Sequence, residues 1–179
     1  MVKQRKKIHT ITECALFSAI ICVLSPFVIP LGPIPFSLSL FAVMFTAMVL
    51  PCKKATASVI VYILAGASGV PVFSGFQGGV NILLGPTGGY IWSYVIVVTV
   101  ISLSGKMHLS WRFVFSFVSL VICYLCGTAQ YAIVTETESI WTSLIICVIP
   151  FIPLDIIKTA FAVFLGGRVK NILAQQNLI

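Results

Sequence analysis

An all-α integral membrane bundle is the fold this sequence predicts, with six transmembrane helices and a re-entrant glycine-rich loop between the third and fourth. Three observations predict it. The 179 residues are 59% apolar and 8% charged, against about 25% charged in an average soluble domain. Apolar runs alternate along the chain with short turns, and ten of the eleven Lys and Arg residues fall in every second turn. One uncharged stretch, Gly66 to Tyr90, holds eight of the thirteen glycines. A spanning helix needs roughly 20 residues, so six use about 120. The whole chain, residues 1–179, then reads as a single membrane domain with no room for a soluble catalytic domain.

The first span, about residues 11–29, follows the basic segment Lys3, Arg5, Lys6 and Lys7. It is too long for a signal-peptide core, and no small-residue cleavage site follows it. Pro26, Pro30, Pro33 and Pro35 mark its end and an uncharged loop. The second span, about 37–50, is short, and Pro51, Cys52, Lys53 and Lys54 form the next turn. The third covers about 55–67. After the glycine-rich stretch the fourth covers about 90–103, and Gly105, Lys106, His108 and Arg112 mark a second basic turn. The fifth covers about 111–134. Glu136 and Glu138 follow it. The sixth covers about 141–165, interrupted by Pro150 and Pro153, and Arg168 and Lys170 close the chain.

Positive charge concentrates on cytoplasmic loops. The charged turns therefore place both termini in the cytoplasm and leave the glycine-rich loop and the Glu136/Glu138 loop outside. Trp92, Trp111 and Trp141 near predicted helix ends fit an aromatic belt. The formal net charge of +7 then belongs to a cytoplasmic surface facing anionic lipid, and no nucleic-acid partner is needed.

The glycine-rich stretch is not a linker. Val70, Val72, Phe73, Phe76, Val80, Ile82, Leu83 and Leu84 are too apolar for one. Irregular backbone at membrane depth survives only where protein buries it or a wet cavity is lined by it. The stretch is therefore expected to fold back over a pocket, and Asn81 is its amide side chain among apolar neighbours. Asn81 could serve a ligand or cap its own loop.

The eleventh basic residue is Lys158, three positions after Asp155 in PFIPLDIIKTAF. A charge at a membrane-helix centre costs about 2.5–3.5 kcal/mol on insertion scales, and such residues pair or line a functional path. Positions i and i+3 share a helix face. Pro153 suits the first turn of a helix segment, which would set Asp155 at that segment's positive end. The pair is either an insertion device or part of a ligand site. With Asn81 it would offer an anion, a cation and an amide to a small molecule bearing N–H, carbonyl and carboxylate groups. The ammonium beside the single carboxylate repels cations, so no metal is expected there, and no cofactor is expected of the chain.

Enzymatic motifs are missing. GPTGG lacks the lysine and the strand–helix setting of a phosphate-binding loop, and no catalytic triad or carboxylate pair lies in the apolar runs. Cys123 and Cys126 have redox spacing without the βαβ context, and His9 and His108 are isolated.

The run from Gly66, GxxGVPVFSGFQGGVNILLGPTGGY, resembles the signature of BioY proteins, the biotin-binding S components of energy-coupling-factor transporters. The resemblance extends over essentially the whole chain, including PIPFSL at Pro33–Leu38, GPTGGY at Gly85–Tyr90 and the D-x-x-K of Asp155 and Lys158. It implies a substrate-binding subunit that works with a coupling transmembrane protein and two ABC-type ATPases. It implies that Asn81 and Asp155 meet the ureido ring, that Lys158 lies near the valerate carboxylate, and that the glycine-rich loop is a lid. Gly79 and Tyr90 are looser pocket assignments. Ala15 and Ala19 match the A-x-x-x-A through which S components dock on the coupling subunit, and small residues four apart do permit close helix approach in lipid. Other readings are an S component for a different vitamin, an ion-coupled carrier using Asp155, and a structural subunit.

Overall fold

The computed structural model describes residues 2–29, 36–136, 141, 144–145 and 148–176. Seven α-helices and one two-stranded ribbon make up the described fold. Helix α1 covers Val2–Leu24, so the first span expected at 11–29 starts and stops earlier. The basic residues at the N-terminus are good helix formers and extend it. Pro26 ends it, because the residue before a proline is pushed out of the α region. The chain then runs extended through β1, Val28–Ile29. This pairs antiparallel with β2, Phe36–Ser37, with Val28 opposite Ser37 and Ile29 opposite Phe36. The expected Pro30, Pro33 and Pro35 of the connecting loop lie outside the described residues.

Helix α2, Ser39–Val49, is the centre of the bundle. Nine of its eleven residues are buried, which requires neighbours on every side. It packs on α1, on α3 (Cys52–Ala67), on α5 (Gly88–Leu103) and on α7 (Ile152–Gln175). At about 1.5 Å per residue it is much shorter than a bilayer core. Lys53 and Lys54, expected in the turn before the third helix, instead occupy its first turn. Lys54 pairs there with Glu13 of α1. One turn deeper, Ser18 Oγ donates to the Ser58 carbonyl at 2.9 Å. A glutamate inside the first apolar run is thus neutralised by the helix beside it.

Helix α4, Val80–Leu84, lies within the glycine-rich stretch, where no helix was expected. Helix α6, Leu109–Val134, follows a 3₁₀ turn over Ser104–Lys106. The last span differs most from expectation. The chain turns at residues 148–151 and α7 begins only at Ile152, then runs through Arg168 and Lys170 to Gln175. Pro150 lies in that turn and Pro153 in the first helical turn, where a missing N–H costs nothing. Lys170 Nζ and Arg112 Nη2 both donate to the Gly105 carbonyl, at 2.8 and 3.3 Å, joining α7, α6 and the 3₁₀ turn. Glu138 and Cys147 lie outside the described residues.

Helix α6 turns mostly small and polar residues inward and large apolar ones outward. On α6 the buried positions are Ser116, Ser119, Leu120, Cys123, Gly127 and Thr128, while Val114, Phe117, Val118, Val121 and Leu125 are exposed. An apolar outer face of that extent suits lipid and not water. Helix segments Lys7–Leu24 and Leu109–Val134 are long and apolar enough to cross a membrane. The fold is all-α in character, largely helical and membrane-associated.

Candidate functional site

The glycine-rich stretch is pinned to the bundle at several points. Phe73 is fully buried, edge-on to Tyr62 with centroids 5.6 Å apart. Its N–H donates to the Gln77 carbonyl at 2.9 Å, closing a narrow turn through Gly75 and Phe76. The Gly75 N–H reaches the Pro26 carbonyl at 3.0 Å, and Phe76 packs edge-on against Phe27. Gly79 has φ +102, a conformation that disfavours any side chain, and its N–H donates to the Gly66 carbonyl at 2.7 Å. The stretch therefore returns to its own start before α4 begins.

Beneath it lies a cavity of about 410 Å³, within the roughly 300–1,000 Å³ of small-molecule sites. Ser74, Gly75 and Gln77 of the loop and Asn81 of α4 form one wall. Tyr90 and Tyr94 of α5 and Cys123 and Tyr124 of α6 form another. Phe36, Ser37 and Leu40 face Asp155 and Lys158 of α7. Of the residues singled out in the sequence, Asn81, Tyr90, Asp155 and Lys158 line this one cavity. Gly79 does not. It is the residue at which the backbone turns into α4. Ala15 and Ala19 are remote from the cavity and lie on the exposed face of α1, in line with exposed Ile11 and Val23.

Asp155 sits in the first turn of α7, where free backbone N–H groups and the helix dipole favour a carboxylate. It is 5% exposed. Lys158 Nζ lies 2.7 Å from its Oδ1, and the Tyr124 hydroxyl donates to Oδ2 at 2.6 Å. Lys158 also donates to the Ser37 carbonyl at 2.8 Å and stands 3.6 Å from the centroid of the Phe36 ring. Phe36 in turn stacks on Phe151. Ser37, Ser39 and the Tyr94 hydroxyl form a second chain of hydrogen bonds on the same side. An ammonium has three donors and each carboxylate oxygen two acceptor positions. Lys158 thus keeps one N–H, and Asp155 keeps acceptor capacity, for a ligand.

Asn81 is exposed to this space, and its side chain makes no hydrogen bond among the described residues. It does not cap α4, whose N-cap is Gly79. The site therefore presents an amide, a carboxylate and an ammonium in one cavity with aromatic side chains in its walls. That donor set can bind a compact, polar-headed ring while the walls cover its apolar part. Among the described residues no cluster of three His, Cys, Asp or Glu side chains could hold a metal. Cys123 accepts a contact from Ser93 Oγ at 3.2 Å and, like Cys126, is a free thiol.

Sequence reading passed over Tyr124, Tyr94, Ser37 and Glu13. The signal for Tyr124 was present in α6, where small and polar residues at Ser116, Ser119, Cys123 and Gly127 recur at helical spacing and mark an inward face.

Comparison with known proteins identifies the family and the fold. The family model for BioY matches residues 1–175. The chain belongs to the BioY family. A biotin transporter BioY of Thermotoga maritima is 35% identical over 162 residues, covering 89% of this chain and 95% of that protein. Biotin transporter BioY2 of Lactococcus lactis is 31% identical over 179 residues, covering 97% of each. A crystal structure of the S-component for biotin from an ECF-type ABC transporter superposes with a TM-score of 0.84, at 24% identity, over 93% of both chains. BioY proteins are transport proteins, not enzymes.

The buried pair yields a test of its own. Removing one member of a buried ion pair leaves the other uncompensated, at about 3 kcal/mol or more, whereas removing both is far milder. Lys158→Met should lower the thermal unfolding midpoint of the ligand-free protein well below that of Asp155→Asn/Lys158→Met. Equal midpoints for the two variants would show that the pair is not coupled.

Proposed function

We propose that this BioY protein is the substrate-binding membrane subunit that captures biotin from outside the cell. Uptake is driven by ATP through a coupling transmembrane subunit and two ABC-type ATPases. The observation that carries the reading is the convergence of Asn81, Asp155 and Lys158 on one cavity under the glycine-rich loop. The ureido ring of biotin has two N–H donors and a carbonyl. Asp155 accepts from an N–H, Asn81 serves the ring's other polar edge, and Tyr90 contributes wall. Lys158 uses its remaining N–H toward the valerate carboxylate, and the positive end of α7 offsets part of the added negative charge.

Six helices cross the membrane in this reading, namely α1, α2, α3, α5, α6 and α7, with α2 bridging only part of the thickness. Both termini are cytoplasmic, by the distribution of Lys and Arg, and the glycine-rich stretch is a re-entrant lid on the outer side. Ala15 and Ala19 form the docking seam for the coupling subunit. Their exposure on α1 favours an external partner over an internal packing seam. An ion-coupled carrier would need a titrating carboxylate free to exchange protons. The two partners already on Asp155 speak for a fixed binding group instead.

Calorimetric titration with biotin tests the site. Losing one partner of a buried polar contact costs about 1–3 kcal/mol, so Asn81→Ala, Asp155→Asn and Lys158→Ala should each weaken binding by roughly tenfold or more. Three variants that bind like the parent would rule the site out.

Orientation is read in intact cells, in a background without the native cysteines. Ser74→Cys and Glu136→Cys should react with an impermeant thiol reagent, Lys53→Cys should not, and biotin should slow the reaction at Ser74→Cys. Labelling of Lys53→Cys from outside would reverse the topology.

Docking is tested by bulk. Ala15→Trp or Ala19→Trp should abolish co-purification with the coupling subunit and ATP-dependent uptake, yet hold biotin affinity within about threefold, since the close small-residue contact is lost and the cavity is untouched. Full uptake in both variants would move the docking surface elsewhere.

A further inference from the structure

Gln130 on α6 directs its side-chain amide at the end of α4. Its Nε2 donates to the Leu83 carbonyl at 2.9 Å and to the Gly85 carbonyl at 2.8 Å. Two carbonyl partners require the amide nitrogen, not its oxygen, on that side. Both acceptors stand at the helix end, where carbonyls lack intrahelical donors. The Trp92 indole N–H adds a third donor, to Leu83 at 3.2 Å.

Helix α4 needs this help. It has five residues, and isolated helices shorter than about 12 residues are marginal even in favourable sequences. Its start is held by the bond from the Gly79 N–H to the Gly66 carbonyl. Its end is held by Gln130 and Trp92. The GPTGG run serves the same junction. A Cβ at Gly88 would overlap the Leu83 carbonyl and crowd the Gln130 amide, so only glycine lets α5 begin there. Gln130 itself does not line the cavity. Ile82 and Gly85 at the clamped end do, and so does Asn81, the polar side chain of α4, two residues before Leu83.

We infer that Gln130 is a positioning residue for Asn81. It caps α4 from the neighbouring helix and so sets the place at which Asn81 meets the ligand. The inference rests on the reading above that Asn81 contacts biotin, but its mechanical part stands without ligand. Loss of Gln130 should therefore act on α4 in the empty protein, and on affinity only through Asn81.

The test uses Gln130→Met, which keeps side-chain length and removes both donors, and Gln130→Ala. Hydrogen exchange of the ligand-free protein is followed at residues 80–88, and biotin affinity is measured for each variant with and without Asn81→Ala. Exchange at 80–88 should accelerate by about tenfold while the remaining helices keep their protection, since two hydrogen bonds are lost at one site. Affinity should fall by roughly tenfold in Gln130→Met, and by no more than about twofold further when Gln130→Met is added to Asn81→Ala. Unchanged exchange in both Gln130 variants would overturn the inference whatever the ligand result. Accelerated exchange with fully additive affinity losses would also overturn it, since Gln130 would then act by a route other than Asn81. A parent protein that fails to bind biotin would sink the biotin reading alone, and exchange at 80–88 would still decide the role of Gln130.

Discussion

The ion pair between Asp155 and Lys158 is the constraint around which the cavity is built. Two charges inside an apolar bundle are tolerable only if each is paired and hydrogen-bonded. Asp155 meets this demand with Lys158, the Tyr124 hydroxyl and the start of α7. Lys158 meets it with Asp155, the Ser37 carbonyl and the Phe36 ring. Tyr124 comes from α6, and Ser37 and Phe36 come from β2, so the pair ties α7 to α6 and to the β1–β2 ribbon. The break at Pro150 and Pro153 has a purpose in this light. A helix running unbroken from residue 141 would carry Asp155 in its interior, without the free N–H groups of a first turn.

A second constraint is steric. The glycine-rich stretch must lie close to the bundle without burying unpaired backbone groups. Its polar groups are matched over short distances, from Gly79 to Gly66, Gly75 to Pro26 and Phe73 to Gln77. Phe73 supplies the apolar anchor. The glycines are placed where backbones touch or where φ is positive, so the stretch is ordered by contact and not by local propensity. That explains how a segment so rich in glycine holds a binding wall. It also separates two mechanical parts: a narrow turn at Gly75–Phe76 beside the cavity, and α4 clamped at its end by Gln130.

Much of this was legible in the sequence because membrane proteins advertise it. Hydropathy and the alternation of basic turns located the apolar helices, and charges in apolar runs drew attention to Asp155 and Lys158. Asn81 stood out among apolar neighbours and Tyr90 came from the BioY resemblance, and both line the same cavity as that pair. What was not legible depends on tertiary contact. Propensity cannot reveal α4, since a five-residue helix exists only through bonds from α3, α5 and α6. The ribbon at Val28–Ile29 and Phe36–Ser37 is likewise too short to announce itself. Tyr124 and Gln130 were hidden inside a long apolar run, and only the packing of α6 shows which face looks inward. Glu13 escaped notice in the same way, as its partner Lys54 lies forty-one positions along the chain. Gly79 was a looser assignment implied by the BioY resemblance; it does not line the cavity, and its positive φ serves the start of α4.

We propose that Asn81 and Asp155 bind the ureido ring of biotin beneath the glycine-rich loop, with Lys158 toward the valerate carboxylate. A structure of the biotin complex in a lipid environment tests it most directly. The account predicts the ureido ring within hydrogen-bonding distance of Asn81 and Asp155, with the Asp155–Lys158 contact retained. A ureido ring bound elsewhere, with Asn81 facing away from it and Asp155 bonded only to Tyr124 and Lys158, would contradict the account.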